Sequence, residues 1–93
     1  MEQNLIGWVE IPVTDMDRAI DFYTNVFKRD IQKANIGGEE MAFFASEKEK
    51  GGISGALIKS DQHEPSDKGV MIYFASADVD TEMSRVEAAG GTI

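Results

Sequence analysis

Twice along this chain an alternating, extended stretch runs into an aspartate and then into an amphipathic helix, and this repetition limits the fold more than any other feature. In the first unit Val9, Ile11 and Val13 alternate with Trp8, Glu10 and Pro12, the two-residue period of a strand with two distinct faces, expected over residues 5–13. Thr14 and Asp15 can cap a helix, because a short side-chain oxygen accepts from the free N–H groups of its first turn. Asp17 adds negative charge at that positive end. The helix is expected over 16–27, with Ala19, Phe22, Tyr23, Val26 and Phe27 forming one apolar stripe, and Lys28 and Arg29 at the end that favours cations. In the second unit a strand over 70–75 leads to Asp78 and a helix over about 79–89. Val79, Met83 and Val86 supply its stripe, and Gly90 is a natural terminator.

Between the two units lie three shorter extended segments. Residues 31–36 end at the turn signal Gly37-Gly38, residues 41–45 carry Phe43 and Phe44, and residues 53–59 follow a charged turn, Glu47 to Gly52. Gly55, inside the last of these, points to close approach by a ligand or by a neighbouring backbone. Residues 60–69 form a polar connector containing Pro65. The order is β-α-β-β-β, then a restart. Laying Asp78 on Asp15 sets Asp80 on Asp17 and sets Ile72 and Phe74 on Val9 and Ile11, as a duplicated module would.

The run from Gly7 through Trp8, Glu10, Asp15, Phe22 and Tyr23 to Phe27 resembles the opening of the glyoxalase/bleomycin-resistance/dioxygenase (vicinal oxygen chelate, VOC) superfamily, where a strand, an aspartate turn and a helix ending in a phenylalanine-tyrosine pair recur. Residues 70–93 are similar to the start of that family's second module. The resemblance implies an α+β fold of paired βαβββ modules. It implies one domain over 1–93, with module one at about 5–60 and an incomplete module two at about 69–93, truncated after its helix. Each sheet would pack its helix on one face and line a shared cavity with the other, so Trp8, Glu10, Met71 and Tyr73 are expected to point inward. One of Phe43 and Phe44 should join them, and the sequence leaves open which. Since Ile93 falls within the first strand after the second helix, either a fragment or completion of the sheet by another chain is expected. A homodimer or module exchange would cover the strand edge otherwise left open.

In metal-dependent members of the family, cavity-facing His and Glu side chains hold a divalent ion. The corresponding positions on the first strands of the two modules are Trp8 and Met71. The strand over 53–59 holds no carboxylate or imidazole. An indole cannot ligate, and a thioether is a poor partner for hard divalent ions, so no metal or other cofactor is expected. The single histidine, His63, sits beside Glu64 in the polar connector and reads as a surface residue.

Glu10 is the one carboxylate on the expected inner face of its strand. Desolvation there would disfavour the charged form and fit it for proton transfer; the plainer alternative is a structural carboxylate that is solvated or hydrogen-bonded to Tyr73. Trp8, Glu10, Phe43, Phe44, Met71 and Tyr73 are the candidate ligand-binding residues. The reading is a protein that binds a small apolar or aromatic molecule in a metal-free cavity. The alternatives are a lyase or isomerase of the glyoxalase type using Glu10 as its acid-base group, or a metal-dependent glyoxalase if the ligand positions are misaligned.

Composition narrows the partners. A net charge of −8 repels phosphate backbones and anionic lipids, which argues against nucleic acid and membrane surfaces. No apolar run is long enough to span a bilayer, and Met1 to Asn4 do not open a signal peptide. The absence of cysteine excludes disulfides, thiolate metal sites and a cysteine nucleophile. A cytoplasmic location is the resulting expectation.

Overall fold

The computed structural model describes residues 5–44 and 53–93. The turn expected over 47–52 and the first four residues lie outside them. Strand β1 (Trp8–Pro12) leads to helix α1 (Met16–Phe27), then to β2 (Ile31–Ile36), β3 (Glu39–Phe44) and β4 (Ser54–Lys59), and helix α2 (Val79–Val86) follows the connector. The four strands form one sheet in the order β1-β4-β3-β2, with β1 parallel to β4 and the other pairs antiparallel. This is the mixed α+β arrangement of a βαβββ module.

Both aspartate caps form. The Asp15 carboxylate accepts from the Arg18 N–H at 3.1 Å, and the Asp78 carboxylate accepts from the Asp80 N–H at 3.2 Å. Each aspartate is extended, so its side chain folds back over a first turn that has no carbonyl partners of its own. Helix α1 ends at Lys28, which takes the left-handed conformation at φ 55° and donates its N–H to the Thr24 carbonyl.

Gly37 and Gly38 join β2 to β3 with φ of 60° and 83°. A two-residue hairpin turn whose twist matches the strands requires positive φ at both positions, and glycine supplies it without steric cost. Pairing therefore starts at once, with Ile36 opposite Glu39, and the strand begins two residues earlier than the 41–45 expected from its apolar content. That register then decides every side-chain direction in β2 and β3.

The sheet has an apolar cluster on each face. On the helix side Met16, Ala42 and Leu57 are buried, with Ile11, Val13, Ala19, Ile20, Tyr23, Ile31 and Phe44 packed around them. On the other side Met41, Ala56 and Ile58 are buried with Phe43 against them. Gly55 is settled by its neighbour: a Cβ there would overlap the Val9 carbonyl of the adjacent strand, so the close approach is by backbone.

The strand expected over 70–75 does not form. The segment is exposed along its length and belongs to no sheet among the described residues. Its β-branched and aromatic content favours an extended conformation, but strand formation depends on a hydrogen-bonding neighbour. One residue anchors it: Phe74 packs on Phe27, Tyr23 and Phe44 with ring centroids 4.8, 5.9 and 6.4 Å apart. Helix α2 is shorter than the 79–89 expected, passing into turns after Val86, and it lies against α1. The Arg18 guanidinium donates to the Gly90 carbonyl at 3.1 Å and the Arg85 guanidinium to the Val26 carbonyl at 2.9 Å. Gly91 fits where it does because Phe22 and Val86 occupy the space a side chain would need.

Candidate functional site

The sheet face opposite α1 carries Trp8, Glu10 and Pro12 from β1, Ser54, Ala56 and Ile58 from β4, and Met41 and Phe43 from β3, as strand alternation and the pairing register require. Across one row Glu10 stands beside Ala56, and Ala56 beside Phe43. Ala56, between the carboxylate and the ring, is fully buried. The Trp8 ring lies 5.9 Å from that of Phe43, tilted by 46°, and its indole N–H donates to Glu10 Oε2 at 3.3 Å. Trp8 is 47% exposed and Glu10 is exposed, so this is an open wall rather than an enclosed cavity.

Of the six residues singled out by sequence, three come together here: Trp8, Glu10 and Phe43. Phe44 leaves the set, because its side chain lies on the helix side, edge-on to Tyr23 with centroids 5.7 Å apart. Met71 and Tyr73 are 71% and 89% exposed on the unpaired segment and do not form part of the wall. The hydrogen bond anticipated between Glu10 and Tyr73 is replaced by the one from Trp8. Glu10 itself is exposed, on a face expected from the sequence to be enclosed. Counting outward from Gly37-Gly38 would have separated Phe43 from Phe44, since a two-residue turn sets Phe43 opposite Gln32 and Phe44 opposite Ile31.

The residues present do not fit a divalent metal. The inward positions on β1 and β4 are Trp8, Pro12, Ser54, Ala56 and Ile58 beside the one carboxylate of Glu10, and hard ions need several oxygen or imidazole ligands. Among the described residues no group of three or more His, Asp or Glu side chains is placed to hold an ion.

Charge is divided between the two faces. Lys33 and Lys59, the lysines of the described strands, both lie on the helix side and pair with acids there: Lys33 with Asp17 at 3.2 Å and Glu40 at 3.7 Å, and Lys59 with Glu40 at 3.5 Å. The hydrogen bond and charge of Asp17, reinforced by Glu40, raise the Lys33 ammonium above its ordinary range. Burial under the aromatic cluster raises the Tyr23 phenol.

Two hollows lie elsewhere. A polar groove of about 690 Å³ at the ends of the strands is lined by Thr14, Glu39, Lys59, Asp61 and His63, among others. His63 is half-buried there with its Nδ1 3.1 Å from the Ser60 hydroxyl, a contact that ties the connector's first turn. A smaller hollow of about 350 Å³ lies between the start of α1, Pro65 and Gly90-Gly91.

A sheet ordered β1-β4-β3-β2, one helix on its outer face and a second Asp-capped helix beside it define the class: a βαβββ module followed by the start of another. The chain belongs to the Glyoxalase/Bleomycin resistance protein/Dioxygenase superfamily, whose sequence pattern matches residues 5–93. Among solved structures it is similar to a glyoxalase I mutant, V278E, from Zea mays, with a TM-score of 0.58 and 20% identity over 89% of this chain. That similarity speaks to fold, and the chain spans 32% of the maize protein. A search of curated proteins found no match. Among the described residues no helix is long and apolar enough to cross a membrane.

Proposed function

We propose that this chain supplies one wall of a metal-free binding site for a small apolar or aromatic molecule, and that a second copy, or exchange of modules between copies, closes it. The observation that carries the reading is the grouping of Trp8, Glu10 and Phe43 over the buried floor of Met41, Ala56 and Ile58. Aromatic rings on an apolar floor bury ligand area at little entropic cost, and one polar group fixes orientation. Support for a second copy comes from the surface: β1 is an edge of the sheet, and Val70, Met71, Tyr73 and Leu5 are 71–101% exposed. Edges and apolar patches of this kind are normally covered. A cytoplasmic site of action, resting on the acidic, cysteine-free composition, completes the reading.

The test uses the one tryptophan of the chain, which is in the wall. Naphthalene should alter Trp8 emission saturably, equally well with EDTA and with added Zn²⁺ or Ni²⁺, and sedimentation should show a dimer. Emission that responds only with metal present would overturn the metal-free reading; a monomer that binds would remove the second copy.

A further inference from the structure

We propose that the wall selects an organic cation, an aromatic or alkyl ammonium compound, in preference to a neutral or anionic one. The inference rests on the binding reading above and names the class of ligand.

Glu10 and the Phe43 ring stand on either side of buried Ala56, and the half-exposed Trp8 indole bonds the one and lies against the other. An ammonium group is attracted to the face of an indole or phenyl ring by the ring quadrupole, and most strongly by tryptophan. Glu10 adds a full negative charge at the same place. Its Oε2 takes the indole N–H, which orients carboxylate and ring together, and no described lysine or arginine pairs with it. The division of charge points the same way. Both strand lysines sit on the helix side, each held by carboxylates, so the inner strand positions carry acid without base. A net charge of −8 draws cations toward the whole molecule and repels anions. Were the rings merely core filler, neither an exposed carboxylate bonded to an exposed indole nor this one-sided placement of lysine would be needed.

Benzyltrimethylammonium and its uncharged carbon isostere neopentylbenzene have nearly the same shape, so the pair isolates charge. Titrated against the full chain and followed by Trp8 emission, the cation should bind about tenfold more tightly, since a cation–π contact and a carboxylate act together. Its affinity should fall as salt rises from 20 to 500 mM, to an extent the neutral compound does not show. Glu10→Gln should weaken the cation about tenfold and so narrow the gap between the two probes. Equal binding of the two probes, or an unchanged cation affinity in E10Q, would overturn cation selection and leave small-molecule binding standing. If neither probe alters Trp8 emission, both readings fall.

Discussion

Gly55 lies directly across from Val9 in the parallel pairing of β1 with β4, and the Val9 carbonyl fills the space a methyl group on Gly55 would need. Nothing nearby can yield cheaply, because the obstacle is backbone of an adjacent strand. Gly55→Ala is expected to cost about 1–3 kcal/mol, the range for forcing extra atoms into a packed interior. Gly7→Ala, with open space around it, should stay within about 0.5 kcal/mol. Urea unfolding midpoints of the two variants give the comparison.

Lys28 closes α1 in a conformation that favours glycine. A β-carbon in the left-handed region costs about 1 kcal/mol, so Lys28→Gly should stabilise the chain by nearly that amount, less a few tenths for the lost cation at the helix end. For a domain of this size the melting temperature should rise by several degrees. An unchanged or lower value would mean the backbone there is not left-handed.

Asp15 and Asp78 perform the same task on helices of different standing. Asp15→Ala should lower global stability by about 1 kcal/mol. Helix α2 has no buried residue, so Asp78→Ala should reduce helical circular dichroism more than it shifts the unfolding midpoint. Equal shifts in the midpoint would show that α2 folds as one unit with the sheet.

Two groups make the alkaline side the weak one. Burial raises the Tyr23 phenol above 10.0, and Asp17 with Glu40 raises the Lys33 ammonium above 10.5. In each case the unfolded chain gives up its proton first. The stabilisation is therefore complete below the ordinary value and is lost as pH climbs through the raised one. Tyr23→Phe should make the decline of stability above pH 10 shallower, and Lys33→Met shallower again in low salt. Urea midpoints between pH 8 and 11.5 would show it.

Much of this was legible in the residues. The bounds of α1 follow from Asp15 at one end and the spent apolar stripe at Phe27 at the other, and the inward direction of Trp8 and Glu10 follows from alternation in β1. What periodicity could not give was whatever depends on a second strand. Neighbouring phenylalanines on β3 look alike until the Gly37-Gly38 turn fixes which partner each faces. The stretch from Val70 to Ala75 has the composition of a strand, yet pairing is a relation between segments, and the described residues offer it none. Met71 and Tyr73 match Trp8 and Glu10 in the repeat, but an inward direction for them needs a pairing that the described residues do not supply. The charge division also escaped a one-dimensional reading, because Lys33 meets Asp17 only once β2 lies beneath α1.

The two arginines that hold α2 to α1 both end on main-chain oxygens, at Gly90 and at Val26. Such acceptors exist whatever side chain the residue carries, so the bonds themselves ask nothing of the side chains at 90 and 26, and those positions are held on other grounds: Gly90 has φ 100° and Val26 is buried. In those bonds only Arg18 and Arg85 contribute a side chain. A population of variants selected for keeping the two helices together should therefore stay fixed at both ends of each tether, at the arginines for their guanidinium groups and at the receiving ends for backbone conformation and packing.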